Sequence, residues 1–94
     1  MAAEDVELEA LRRQIDELDK ELLKLLARRM AVVRQVGTHK HLHNIDPLDR
    51  TRWDVVIKDR LALAESLSLS EAFVNELYEL IHQYALEIET DASS

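Results

Sequence analysis

Between about Asp5 and about His43 the chain contains no proline, and apolar residues recur every three or four positions at Leu8, Leu11, Ile15, Leu18, Leu22 and Leu25. That period predicts one uninterrupted amphipathic α-helix. At ~1.5 Å per residue such a helix is about 60 Å long. A rod of that length cannot fold back on itself within one small domain. A second copy of the same chain is the natural cover for its apolar stripe.

The stripe is broken by charge. The spacing calls for an apolar residue at position 29, and Arg29 stands there. The rhythm resumes at Val32 or Val33 and Val36, and the next turn brings Lys40. Arg29 and Lys40 lie about three helical turns apart, on nearly one face. A helix packed along this stripe points both cations inward, where a bare charge is costly. No fixed acidic partner stands on the same stripe, so an anionic ligand is the candidate counter-charge.

Beyond this helix, Asn44-Ile45-Asp46-Pro47 reads as a loop, because Pro47 lacks a backbone donor and biases Asp46 away from helix. A second helix is expected from about Leu48 to Leu67, with Trp53, Val56, Ile57, Leu61 and Ala64 on its apolar face. Ser66 to Ser70 reads as a break, with Ser68 or Ser70 as the N-cap of a third helix. That helix is expected from about Glu71 to Glu89, burying Val74, Leu77, Tyr78, Ile81, Ala85 and Ile88, and Thr90 to Ser94 is expected to fray. One glycine and one proline in 94 residues suit helices better than a turn-rich sheet. The fold class expected is therefore all-α: three helices in a single domain over 1–94, the first very long and covered by a second copy of the chain. Gly37, near the end of the first helix, is either a tolerated weak point or a place of close approach by a neighbouring backbone or ligand.

Charge narrows the partners. The net charge of −7 opposes binding to nucleic acid or to an anionic membrane surface. A small anion remains possible if cations are concentrated locally. There is no cysteine, which excludes disulfides and thiolate metal sites. His39 and His43 stand one helical turn apart, but no carboxylate stands out as a further ligand, so no metal is expected. No apolar run is long enough to span a membrane. Residues 1–10 are acidic and lack an apolar signal core, so a soluble cytoplasmic protein is the default expectation.

Arg12 sits at the edge of the stripe one turn after Leu8, where pairing with Glu9 or Asp16 is the ordinary outcome. Arg50 and Arg52 open the second helix, where cations oppose the macrodipole. Isolated cations at separate heights along one helix, with another from the start of the next, suit a small polyanion held from several sides. Arg offers a bidentate fork and Lys a point donor.

The run Leu11-Arg12-Arg13-Gln14-Ile15-Asp16-Glu17-Leu18-Asp19 resembles the opening of the all-helical chorismate mutase family. Leu25-Leu26-Ala27-Arg28-Arg29-Met30, Val36-Gly37 followed by Lys40, and Asp49-Arg50 continue the likeness from about Glu7 to Glu89. The resemblance implies an intertwined homodimer with two active sites, each drawing residues from both chains. It matches Arg12 to an arginine given across the dimer to a substrate carboxylate, and Arg29 to one gripping a carboxylate within the site. Lys40 matches a lysine that hydrogen-bonds the substrate ether oxygen and a carboxylate. Arg50 matches a further arginine, and Glu89 falls where the family places Gln or Glu facing the ether oxygen. Thr51 replaces an acidic residue that contacts the C4 hydroxyl, Pro47 replaces an Asp, and Ala85 replaces a small polar residue.

The implied reaction is the unimolecular rearrangement of chorismate to prephenate, which needs no cofactor, metal or nucleophile. Arg12 and Arg29 would fix the two carboxylates of the dianion. Lys40 and Glu89 would stabilise negative charge growing on the ether oxygen. Glu89 donates only when protonated. The departures at Pro47, Thr51 and Ala85 bear on the C4 substituent, and isochorismate pyruvate lyase or 4-amino-4-deoxychorismate mutase activity on the same scaffold is an alternative. A non-enzymatic helical dimerisation module, with Arg29 paired to Asp19 or Glu87 of a partner, is another. Members of this family occur free-standing or fused to further domains, and the sequence is compatible with either.

Overall fold

The computed structural model describes residues 3–93, and side-chain environments within 5–91. Three helices follow in order: α1 (Ala3–Leu42), α2 (Arg50–Ser66) and α3 (Glu71–Ser93). The all-α architecture with a very long first helix is as expected, α1 alone holding 40 residues. The chain divides within α1 into two compact units, Met1–Val32 and Val33–Ser94.

The first unit is the N-terminal part of α1. Its apolar stripe is present and largely in water. Leu8, Leu11, Ile15, Leu18, Leu22 and Leu25 are between 43% and 62% exposed, in residues that ordinarily bury this surface. Met30 is buried. A row of this kind, unbroken over five turns, exceeds the scattered apolar exposure normal for a monomer surface.

The second unit contains the end of α1 and an antiparallel pair formed by α2 and α3. Two ring contacts fix the register of that pair. Trp53 stacks on His82 with centroids 4.1 Å apart, and one face further along, the Arg60 guanidinium lies 6.0 Å over the Tyr78 ring. Residue numbers rise on α2 as they fall on α3, which is the mark of an antiparallel hairpin. Along this pair Val56 and Ala64 of α2 and Val74, Ala85 and Ile88 of α3 are buried. Each large aliphatic side chain so buried contributes about 1.5–3 kcal/mol. The other expected stripe positions Trp53, Ile57, Leu61, Tyr78 and Ile81 are half-buried, and one position departs. Leu77 is 37% exposed. It belongs to a second row on α3, Phe73-Leu77-Leu80-Tyr84, whose members are all exposed. The row is spaced at four, three and four residues and runs beside the buried one.

Helix ends follow local chemistry. Asp49, and not Leu48, precedes the first residue of α2: its φ of −125° is extended and its side chain accepts from the Arg52 N–H at 2.9 Å. The capping carboxylate also offsets the cations Arg50 and Arg52 against the helix dipole. Ser70 caps α3 as expected, its Oγ accepting from the Phe73 N–H at 3.2 Å. The expected fraying after Glu89 does not occur over Thr90–Ser93, where α3 continues. Thr90 Oγ1 donates to the Leu86 carbonyl at 2.8 Å and keeps its side chain on the helix. Met1, Ala2 and Ser94 lie outside the described residues.

Both inter-helix turns use the same device. Asn44 (φ 55°) and Ser68 (φ 59°) adopt the left-handed conformation just past the ends of α1 and α2. At the first turn the Ile45 N–H reaches the Lys40 carbonyl at 2.7 Å and the Asn44 N–H reaches the His41 carbonyl at 3.3 Å. At the second, the Leu69 N–H reaches the Ala64 carbonyl at 2.9 Å and the Ser68 N–H reaches the Glu65 carbonyl at 3.2 Å. This is the Schellman arrangement, normally closed by glycine. The only glycine of the chain, Gly37, is instead buried within α1. Its burial favours close approach over a tolerated weak point, because a side chain at this position would need space.

A serine in the left-handed region carries strain that glycine does not. Ser68→Gly is expected to raise unfolding stability by about 0.5–1 kcal/mol, allowing for the extra freedom glycine gives the unfolded chain. Urea denaturation measures it, and an unchanged or lowered midpoint would show that no strain is stored there.

Candidate active site

Two of the expected site residues meet in the second unit. Lys40, in the last turn of α1, places its Nζ 2.7 Å from Oε1 of Glu89 on α3. The two side chains are only 17% and 10% exposed. The contact is an ion pair whose angle lies outside hydrogen-bond alignment, so Oε1 is buried with no aligned donor. The Lys40 ammonium also donates to the Pro47 carbonyl at 2.7 Å. An ammonium has three donors, so this one retains capacity for a further acceptor. Sequence order explains the meeting. Glu89 is one turn beyond Ala85 on α3, and both are on the buried face of the helix.

Ala85 is therefore enclosed beside the carboxyl group, and its methyl offers no hydrogen bond. Arg50 and Thr51, in the first turn of α2, are both exposed. In the first unit Arg29 is half-buried, and its Nη1 is buried with no hydrogen-bond partner. A buried donor without an acceptor is rare in folded proteins, because its desolvation is uncompensated. Arg12 donates to Glu9 Oε1 at 2.8 Å, and both side chains are more than half exposed. Such surface pairs contribute little and are easily exchanged for another carboxylate.

The side chain of Pro47 drew attention in the sequence as a departure, but its backbone carbonyl is what touches Lys40. No pattern of side-chain types signals a carbonyl acceptor. Trp53 and His82 form a second contact that the sequence did not reveal, since His82 carries no periodic signal. His39 and His43 hold their rings 4.3 Å apart, and among the described residues no group of three His, Asp or Glu side chains gathers to hold a metal ion. No helix among the described residues is long and apolar enough to cross a membrane.

A concavity of about 410 Å³ in this unit is lined by Arg34, Tyr84, Glu87, Ile88 and Asp91. Two acids against one cation make it a poor host for a dianion. The cationic positions of α1 are better suited.

The sequence profile of the chorismate mutase type II family matches residues 11–90. The chain belongs to that family. It is 34% identical over 70 residues to the T-protein of Haemophilus influenzae, an alignment covering 74% of this chain and 19% of that relative. It is 32% identical over 85 residues to the T-protein of Enterobacter agglomerans, covering 90% of this chain and 23% of the relative. The chain thus spans about a fifth of the length of these curated relatives. Arg12, Arg29, Lys40, Arg50, Thr51, Ala85 and Glu89 all fall inside the type II match.

The Lys40–Glu89 contact has a thermodynamic signature. Removing one member of a buried pair strands the other charge, so Lys40→Met is expected to cost about 3 kcal/mol of stability. Adding Glu89→Gln to that variant is expected to return most of the loss, because a neutral amide tolerates burial better. Urea unfolding of the two single variants and the double variant closes the cycle, and strictly additive losses would mean that the two charges do not interact.

Proposed function

We propose that this chain is a chorismate mutase, converting chorismate to prephenate by a pericyclic rearrangement. The observation that carries this reading is the buried, unpartnered Nη1 of Arg29 in a chain of this family. A buried guanidinium donor calls for an acceptor, and a substrate carboxylate supplies one in bidentate geometry.

The reaction is intramolecular. The ether C–O bond breaks as a C–C bond forms, with no proton or electron entering or leaving. The protein's task is to hold a flexible dianion in its compact reactive shape and to favour the charge separation of the transition state. Arg29 binds one carboxylate. Arg12 exchanges its exposed pairing with Glu9 for the other carboxylate, reaching it from a second copy of the chain. The half-exposed leucines of α1 support that second copy, whose surface would cover them. Lys40 and Glu89 face the ether oxygen, and Arg50 adds positive charge at the rim. Thr51 offers a hydroxyl where the C4 substituent lies, while Ala85 supplies only shape. The loss of charge at Thr51 favours assaying isochorismate and the 4-amino analogue beside chorismate.

Following loss of chorismate by ultraviolet absorbance with purified protein tests the reading directly. Arg29→Ala is expected to lower kcat/KM by at least about a hundredfold, and Arg29→Lys is expected not to restore it, because a point charge does not replace the fork. Arg12→Ala is expected to be similarly impaired. In a mixture of the two alanine variants, half the dimers are mixed and each carries one intact site, so about a quarter of wild-type turnover returns. Near-normal turnover by Arg29→Ala would remove the site assignment, and a mixture with no recovery would remove the shared site.

Glu89→Gln isolates the part its charge plays. The amide keeps a donor for the ether oxygen and leaves the Lys40 ammonium without a fixed counter-charge, so kcat is expected to hold or rise, whereas Glu89→Ala, which offers no donor, is expected to lower it by about tenfold. A glutamine variant as impaired as the alanine variant contradicts this role.

A further inference from the structure

The loop after α1 grips Lys40 at both ends of the residue. Its backbone carbonyl receives the Ile45 N–H at 2.7 Å, closing the turn around Asn44. Its ammonium, at the far end of a four-carbon chain, donates to the Pro47 carbonyl at 2.7 Å. An unrestrained lysine side chain holds about 2 kcal/mol of rotamer freedom, and two anchors within one short loop remove much of it before any ligand arrives.

The direction of the Pro47 carbonyl is itself set locally. Asp46 Oδ1 accepts from the Leu48 N–H at 3.1 Å, an Asx turn. The ring closed by that bond contains the φ and ψ of Pro47. The pyrrolidine fixes φ, and the Asp46 bond restrains ψ, which decides where the carbonyl points. Asp46 is exposed, and its carboxylate bonds the Leu48 N–H while Lys40 bonds the Pro47 carbonyl and pairs with Glu89.

We infer that Asp46 is a positioning residue: through its turn onto Leu48 it aims the Pro47 carbonyl, and that carbonyl aims the Lys40 ammonium toward the reacting ether. This rests on the role proposed for Lys40, but the clamp exists independently of turnover. Asn keeps the side-chain oxygen that closes the turn and loses the charge. Glu keeps the charge but, being one methylene longer, does not close the same ring. The pair separates the turn from electrostatics.

The test uses the full chain with lysine labelled at Cε. The sequence contains Lys20, Lys24, Lys40 and Lys58, and the Lys40→Met variant assigns the Lys40 signal. Asp46→Ala and Asp46→Glu are expected to move the Lys40 Cε signal toward those of the exposed Lys20 and Lys24, and Asp46→Asn to leave it in place. In the same variants kcat is expected to fall about tenfold for Ala and Glu with KM changed less than about twofold, and to be restored by Asn. A Lys40 signal that stays in place in both the Ala and Glu variants overturns the clamp, and so does an Asn variant that behaves like Ala. If the signal moves as expected while the wild-type protein never consumes chorismate, the clamp stands and the proposed activity falls. Should Asp46→Ala lose its helical circular dichroism, the Glu and Asn variants decide the matter alone.

Discussion

A cation held away from water is the constraint around which the second half of this chain is built. Lys40 sits in the last turn of α1, where the helix dipole favours positive charge, and its ammonium meets a carboxylate from α3 and a carbonyl from the intervening loop. Three separate pieces of sequence therefore have to arrive together. α1 must end at the turn around Asn44, the loop must present Pro47, and α3 must reach Glu89 on its buried face. The antiparallel pairing of α2 and α3 serves that arrival, because Trp53 near the start of α2 stacks on His82, which leaves the following turns of α3, with Glu89, at the loop end of the pair.

Arg29 presents the contrasting case. Lys40 has resident partners, whereas the inner nitrogen of Arg29 has none. In the function proposed for this chain, the paired lysine and the unpaired arginine divide the work of binding an anion. Arginine brings a buried nitrogen that no group among the described residues satisfies, and lysine brings a donor already held in direction. The family match gives this division a chemical setting, since a dianion undergoing an internal rearrangement needs grip at its carboxylates and a directed donor at its ether.

Much of this was readable from residue types alone. Periodicity located all three helices, Pro47 marked the first loop, Ser70 was one of two serines expected as a cap, and the interruption of the stripe at Arg29 and Lys40 flagged the unusual cations. What escaped has physical reasons. Asp49 and Leu48 compete for the start of α2, and only backbone angles decide between them. Leu77 fits two adjacent rows on α3, and which row is buried depends on tertiary packing. Left-handed turns at Asn44 and Ser68 are invisible when the expected glycine is elsewhere. The Pro47 carbonyl escaped because backbone acceptors leave no trace in side-chain identity. Arg12, Arg50 and Thr51 are exposed, so the chain's own packing does not set them apart from other surface residues.

The half-wet leucine row of α1 ties stability to abundance. Surface of that kind is stabilised only while something binds over it, and such stabilisation grows with the concentration of the covering molecule by mass action. If the cover is another copy of the chain, dilution alone loosens the fold. The melting temperature then rises with protein concentration, and scarce new chains spend longer unprotected than plentiful ones.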